Sequence, residues 1–156
     1  MSVARFQLGP REARSAAPWR LWLVGGSAVV FNSIGAFDYV MTRRHDAAYF
    51  ELLGYNAAHI AYFERYPVVP AVFWTVAVFG AVAASVLLLL RSRYTVPVAL
   101  VALCAQAGLD IISFVLMDRL SVFGVRQSVF DIVVPLGLAA VLYWYAVVMS
   151  RRGVLR

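Results

Sequence analysis

Asp38, Asp110 and Asp131 are the residues whose chemistry most needs explaining, because each interrupts a run of apolar side chains. A charged group at the centre of a membrane span costs roughly 2.5–3.5 kcal/mol on insertion scales, so it needs a partner or a purpose. Asp110 lies about 12 Å inside the outer end of its run at the helical rise per residue, with Gln106 one turn deeper. Asp38 and Asp131 lie about 6 Å from the same boundary. With Asn32 near mid-membrane as a floor, these residues outline a polar cavity whose mouth Arg43, Arg44, His45, His59, Arg119 and Arg126 can line. Such a cavity would exchange a proton at a desolvated carboxyl, foremost Asp110, or bind a cationic or polyhydroxy solute. The alternative is structural: Asp110 hydrogen-bonds Gln106, Asn32 or a neighbouring helix, while Asp38 and Asp131 pair with loop arginines.

Other chemistries lack their residues. Haem ligation across a bundle needs histidines inside the spans, but His45 and His59 both fall between apolar runs. A di-iron carboxylate site needs paired Glu and Glu-x-x-His motifs on facing helices, and no span carries Glu or His. Gly-rich phosphate loops, His-Glu-x-x-His and serine nucleophile elbows are missing. Cys104 is the one cysteine, so thiol-pair exchange within the chain is excluded, and its apolar surroundings suggest packing. No catalytic residue, metal site or cofactor is therefore expected.

The elements that must position these residues follow from composition. Apolar residues make up 63% of the 156, charged residues 14%, and mean hydropathy is +0.79. Soluble domains run at about 45–50% apolar, so this is an all-α polytopic membrane protein and a soluble enzyme is excluded. A bilayer core of about 30 Å needs about 20 helical residues. Four runs suffice, at about 21–40, 68–90, 96–117 and 129–149, which predicts a four-helix antiparallel transmembrane bundle. An Arg-rich tail, 1–20, an outer loop, 42–66, and a short tail, 150–156, complete the chain.

In the outer loop Leu52, Tyr55, Asn56, His59, Tyr62, Phe63 and Tyr66 fall close to helical spacing, predicting an amphipathic interfacial helix between the first two spans. Tyr55, His59 and Tyr62 are its candidate lid residues; the plainer reading is an interfacial segment ending before Pro67. Arg5, Arg11, Arg14, Arg20, Arg91, Arg93, Arg151, Arg152 and Arg156 lie on one side of the bilayer. The positive-inside rule then puts both termini in the cytoplasm. The net charge of +6 thus marks topology and contact with lipid headgroups, and nucleic acid is not an expected partner. Trp19, Trp22, Tyr94, Trp144 and Tyr145 on one side, and Tyr39, Tyr49, Tyr55, Tyr62 and Tyr66 on the other, form two aromatic belts. A cleaved signal peptide is an alternative for the first run, although its continuation through Val40 favours an anchor.

Ala77, Gly80, Ala81, Ala84 and Ser85 make a small-residue stripe on the second span, matched on the first by Gly25, Ala28, Asn32 and Ala36. These faces can pack on each other, or the stripe can serve as a homodimer seam. Pro135 removes the backbone donor for the Asp131 carbonyl and predicts a kink at the depth of Asp110.

The order of FNSIG from Phe31, YFERYP from Tyr62, LLLLR from Leu87, then Pro97, Pro135 and the terminal GVLR resembles an uncharacterised family of small bacterial four-helix inner-membrane proteins. Some of its members are labelled sugar-transporter-like. The resemblance runs from about Phe31 onward and rests on packing and boundary features, so it implies the fold more than an activity. Phe31 stands where that family usually has Trp, and Asp110 and Asp131 stand where it commonly has uncharged or aromatic residues. A transport mechanism common to the family would not depend on those two acids.

The expected function is non-enzymatic: an accessory or scaffold subunit, acting through helix association as a homo-oligomer or within a larger membrane complex. Four short spans leave little room for a cavity but much surface for helix contacts. The alternative is a small-solute or proton-coupled transporter built around Asp110. Against it, the cytoplasmic half offers little polarity beyond Ser27 and Ser85.

Overall fold

A computed structural model describes residues 19–156, so the Arg-rich tail expected over 1–20 lies almost wholly outside the described residues. The chain forms α1 (Trp19–Arg43), α2 (Ala47–Leu52), α3 (Ala57–Glu64), α4 (Val68–Leu89), α5 (Thr95–Val115) and α6 (Arg119–Arg151). Four of these, α1, α4, α5 and α6, are long and apolar enough to cross a membrane. Pro70 in α4 and Pro97 in α5 sit in first turns, where the missing N–H has no helical partner to lose.

The helices run up and down. Leu21 of α1, Leu88 of α4, Ala99 of α5 and Met149 of α6 share one buried cluster, so the start of α1 and the end of α6 meet at the same end of the bundle. That end carries Arg20, Arg91, Arg93, Arg151, Arg152 and Arg156 and is called here the arginine end. α1 packs on α4, α4 on α5 and α5 on α6, while α1 and α6 have no substantial packing with each other. The four spans thus pack as a row in chain order, with a smaller contact of α4 on α6.

Helices in lipid gain little from hiding apolar surface, so close approach must come from small side chains. A methyl group on Gly80 would lie 3.1 Å from the Ala102 methyl, which places α4 and α5 almost backbone to backbone. On α4, Ala77, Ala81, Ala84 and Ser85 are buried within the chain. Asn32 Nδ2 of α1 donates to Ser85 Oγ at 2.9 Å, and Tyr39 and Thr75 join the same two helices at 2.6 Å. The small-residue stripe therefore serves contacts inside one chain and is not left free as a dimer seam. Cys104, expected to be packed, is exposed on α5.

The connections are unequal. Leu90–Tyr94 joins α4 to α5 and Leu116–Asp118 joins α5 to α6, whereas α1 reaches α4 through both α2 and α3. At the arginine end the residues after α6 fold back. Arg156 N–H donates to the Arg91 carbonyl at 2.7 Å, Arg93 N–H returns a bond to the Arg156 carbonyl, and Val154 is buried.

α6 begins ten residues before the run expected at 129, at Arg119. As a straight helix its 33 residues would extend about 50 Å, well past an apolar core of about 30 Å. Its one non-helical residue is Gly124, at φ 75° and ψ 164°. The non-helical break falls at Gly124, while the residues around Pro135 keep helical backbone angles. Glycine meets no side-chain penalty in this region of φ.

Candidate functional site

The end opposite the arginines is capped by α2 and α3. Asp46 caps α2 by accepting from Tyr49 N–H at 2.9 Å, and Asn56 caps α3 by accepting from Ala58 and His59 N–H at 2.9 and 3.1 Å. The amphipathic helix expected between the first two spans is thus present as two pieces, with Tyr55 between them and Asn56 as a cap. His59 Nδ1 accepts from Asn56 N–H at 3.4 Å, which leaves Nε2 as the N–H that donates to the Val122 carbonyl at 3.0 Å. That bond crosses from the lid to α6.

The first turn of α6 lies between Asp118, at φ 53°, and Gly124, and the lid docks on this arm. Phe123 stacks on His59 with ring centroids 4.6 Å apart and meets the edges of Tyr55 at 5.8 Å and Tyr62 at 5.2 Å. Phe50, Phe63 and Phe123 are the buried centre of this aromatic cluster. The three candidate lid residues therefore converge on one ring. Burial, reinforced by the charges of Asp38 and Asp131, pushes the Tyr55 hydroxyl up to about 12. Burial chiefly does the same for Tyr66, also to about 12.

Arg119 organises the acids beneath. Its guanidinium pairs with Asp131, with both side chains mostly shielded, and lies 4.6 Å from the Phe123 ring centroid and 5.8 Å from that of Tyr62. Asp38 and Asp110 both lie within electrostatic reach of Arg119 and of Asp131. Asp38 accepts from the Tyr49 hydroxyl at 2.8 Å, and Asp110 Oδ1 accepts from Gln106 Nε2 at 3.0 Å. Burial and the Asp38 bond push the Tyr49 hydroxyl above the ordinary phenol range.

The structure gathers Asp38, Asp110, Asp131 and Gln106, and leaves Asn32 on Ser85, beside the core of the arginine end. Asp131 takes an arginine partner as expected; Asp38 takes a tyrosine hydroxyl in place of a loop arginine. Arg43, Arg44, His45 and Arg126 stay exposed, so the ring of mouth residues reduces to Arg119 and His59. Phe123 escapes sequence reading because it precedes the apolar run that marks the fourth span, and Arg119 is read only as one of several mouth and loop arginines. Two signals were available: Gly124 directly after Phe123, and the need of Asp131 for a cation.

Most polar atoms of the cluster are satisfied. The exception is Asp110 Oδ2, which is buried without a hydrogen-bond partner among the described residues. Two open hollows border the lid and α6, of about 800 Å³ and 290 Å³, and neither is lined by Asp38, Asp110 or Asp131. Among the described residues no group of three His, Cys, Asp or Glu side chains is placed to hold a metal ion. Compared with protein-family models, curated proteins and solved structures, the chain matches none.

Proposed function

We propose that this multi-pass membrane protein is a non-enzymatic accessory or scaffold subunit of a bacterial inner membrane, with both described ends of the row on the cytoplasmic side. It acts by presenting helix faces, either to a larger membrane partner or to its own copies. The observation that carries this reading is how little of α1 the rest of the chain covers: 11% of its span is buried, against 33% for α5. Leu23, Val30, Phe31, Ile34 and Phe37 of α1 all remain exposed. The orientation is supported by the six arginines of the arginine end, where the described residues include no acidic side chain. Native mass spectrometry of protein extracted gently from its own membranes tests the reading. A stoichiometric partner or a defined homo-oligomer, lost on Ile34→Asn, is expected; a lone monomer from intact membranes would overturn it.

A transporter is the second reading, in keeping with the label carried by the family it resembles. The unpartnered Asp110 Oδ2 beside a shared arginine supports it, because a desolvated carboxyl is suited to exchanging a proton or a cation. Asp110→Asn separates the two readings. Transport requires loss of solute movement in vesicles with the bundle intact, whereas a structural role predicts weaker resistance to detergent and no other change.

A further inference from the structure

The larger hollow, of about 800 Å³, lies along α6 and is lined by Phe123 and, beyond the Gly124 break, by Arg126, Gln127, Val129, Phe130, Val133 and Val134. The positions beyond the break recur at three and four residues, so they form a single stripe. Its outer rim is polar, with a guanidinium and a carboxamide, and everything below the rim is apolar. The stripe continues past Val134 through Gly137, which has open space where a side chain would stand, to the exposed Val141. From Val129 to Val141 the helix rises about 18 Å. Half the hydrocarbon core of a bilayer is about 15 Å, so the apolar part of the stripe matches the depth of one leaflet.

The polar rim has an unmet need. Arg126 is exposed and has no ion pair among the described residues. A guanidinium donates only, and Gln127 can donate and accept, so the complementary group is an anion rich in acceptors. The kink at Gly124 lies at the outer end of the hollow, and all of its lining residues come from α6.

We infer that this face of α6 is a binding site for one phospholipid of the outer leaflet, its phosphate on Arg126 and Gln127 and an acyl chain along Phe130, Val133 and Val134. The headgroup phosphate supplies the acceptors, and the chain fills a hollow whose walls offer no other polar contact. A retained lipid here covers the outer half of the exposed α6 face at the end of the row. None of the three carboxylates lines the site; its outer-leaflet placement rests on the orientation proposed above, and not on the choice between subunit and transporter.

Native mass spectrometry tests the site on the full chain, delipidated stepwise in mild detergent and then supplied with phosphatidylglycerol. One tightly retained lipid is expected, standing out from a graded series of loosely attached ones. Arg126→Gln should weaken its retention about fivefold, the effect of one basic residue near a charged surface. Val133→Trp should displace it by filling the slot, while Arg44→Gln, an exposed arginine away from the hollow, should leave it unchanged. Circular dichroism and elution volume establish that each variant is folded. A smooth distribution of lipids without a retained one, or equal retention by Arg126→Gln and the parent, would overturn the site. Full replacement of the lipid by inorganic phosphate would also overturn it, since the acyl slot would then contribute nothing. A dimer that buries the stripe would assign the face to a second copy instead.

Discussion

The two ends of the bundle use arginine in opposite ways. At the lid end, Arg119 is drawn inward, paired with Asp131 and laid against Phe123 and Tyr62. At the arginine end, Arg20 lies over Trp19 and Arg93 over Tyr94, both near the surface, and no acid stands among the described residues there. The same side chain serves as a structural pin in one place and as a displayed charge in the other. What decides is the neighbourhood: a shielded cation must be matched, whereas one in the headgroup region is matched by water and lipid.

The sharpest way to break the contrast is Asp131→Asn, which leaves Arg119 shielded and short of its pair. A loss of about 3–5 kcal/mol is expected in a reversible detergent unfolding titration. Adding Arg119→Met should recover a good part of it; if the double variant is no better than the single, the pair is not the pin. Phe123→Ala comes next, at about 3 kcal/mol, since it removes the ring on which three lid residues converge. Hydrogen exchange should then accelerate across α2 and α3, with the spans unchanged.

The lid end also has its own response to pH. Tyr55 and Tyr66 titrate near 12 in the folded chain against an ordinary 10.0, so folding favours their protonated forms. Their contribution is complete below pH 10 and falls as pH climbs toward 12, because the unfolded chain releases those protons first. Phenolate absorbance should rise late and together with loss of lid protection. Early, unlinked ionisation would mean that the hydroxyls are open to water. The smallest effects belong to the middle and the far end. Asn32→Ala should cost about 0.6 kcal/mol, the average for an interhelical polar contact in a membrane, and Arg93→Gln within about 0.5 kcal/mol either way. A large loss from Arg93→Gln would erase the distinction between the two ends.

Hydropathy alone located the four spans, because in lipid a helix is the means by which a chain satisfies its own backbone. It marks the fourth run only from 129, ten residues inside α6, because Arg119, Ser121, Arg126, Gln127 and Ser128 dilute the apolar signal; Val122 and Phe123 in that stretch pack with the lid. The division of the lid was written in Asp46, Gly54 and Asn56, two caps and a turn residue, but a broad apolar period masked it. The acids were legible as oddities. Their partners were less so: Arg119 stands 12 residues from Asp131 and across the Gly124 break, a pairing that local spacing does not suggest.

The unequal connections imply an order in time. α4, α5 and α6 meet their neighbours across turns of a few residues, so each contact closes a short loop. α1 has to find α4 across the whole lid, and each doubling of loop length adds about 0.6 kcal/mol to closure. Of the four spans, the one that leaves the ribosome first is thus expected to dock last, held in the meantime only by lipid. Forced refolding of single molecules should show its docking as the slowest step, and during that interval the α4 face bearing Ser85 stays open to whatever else the membrane contains.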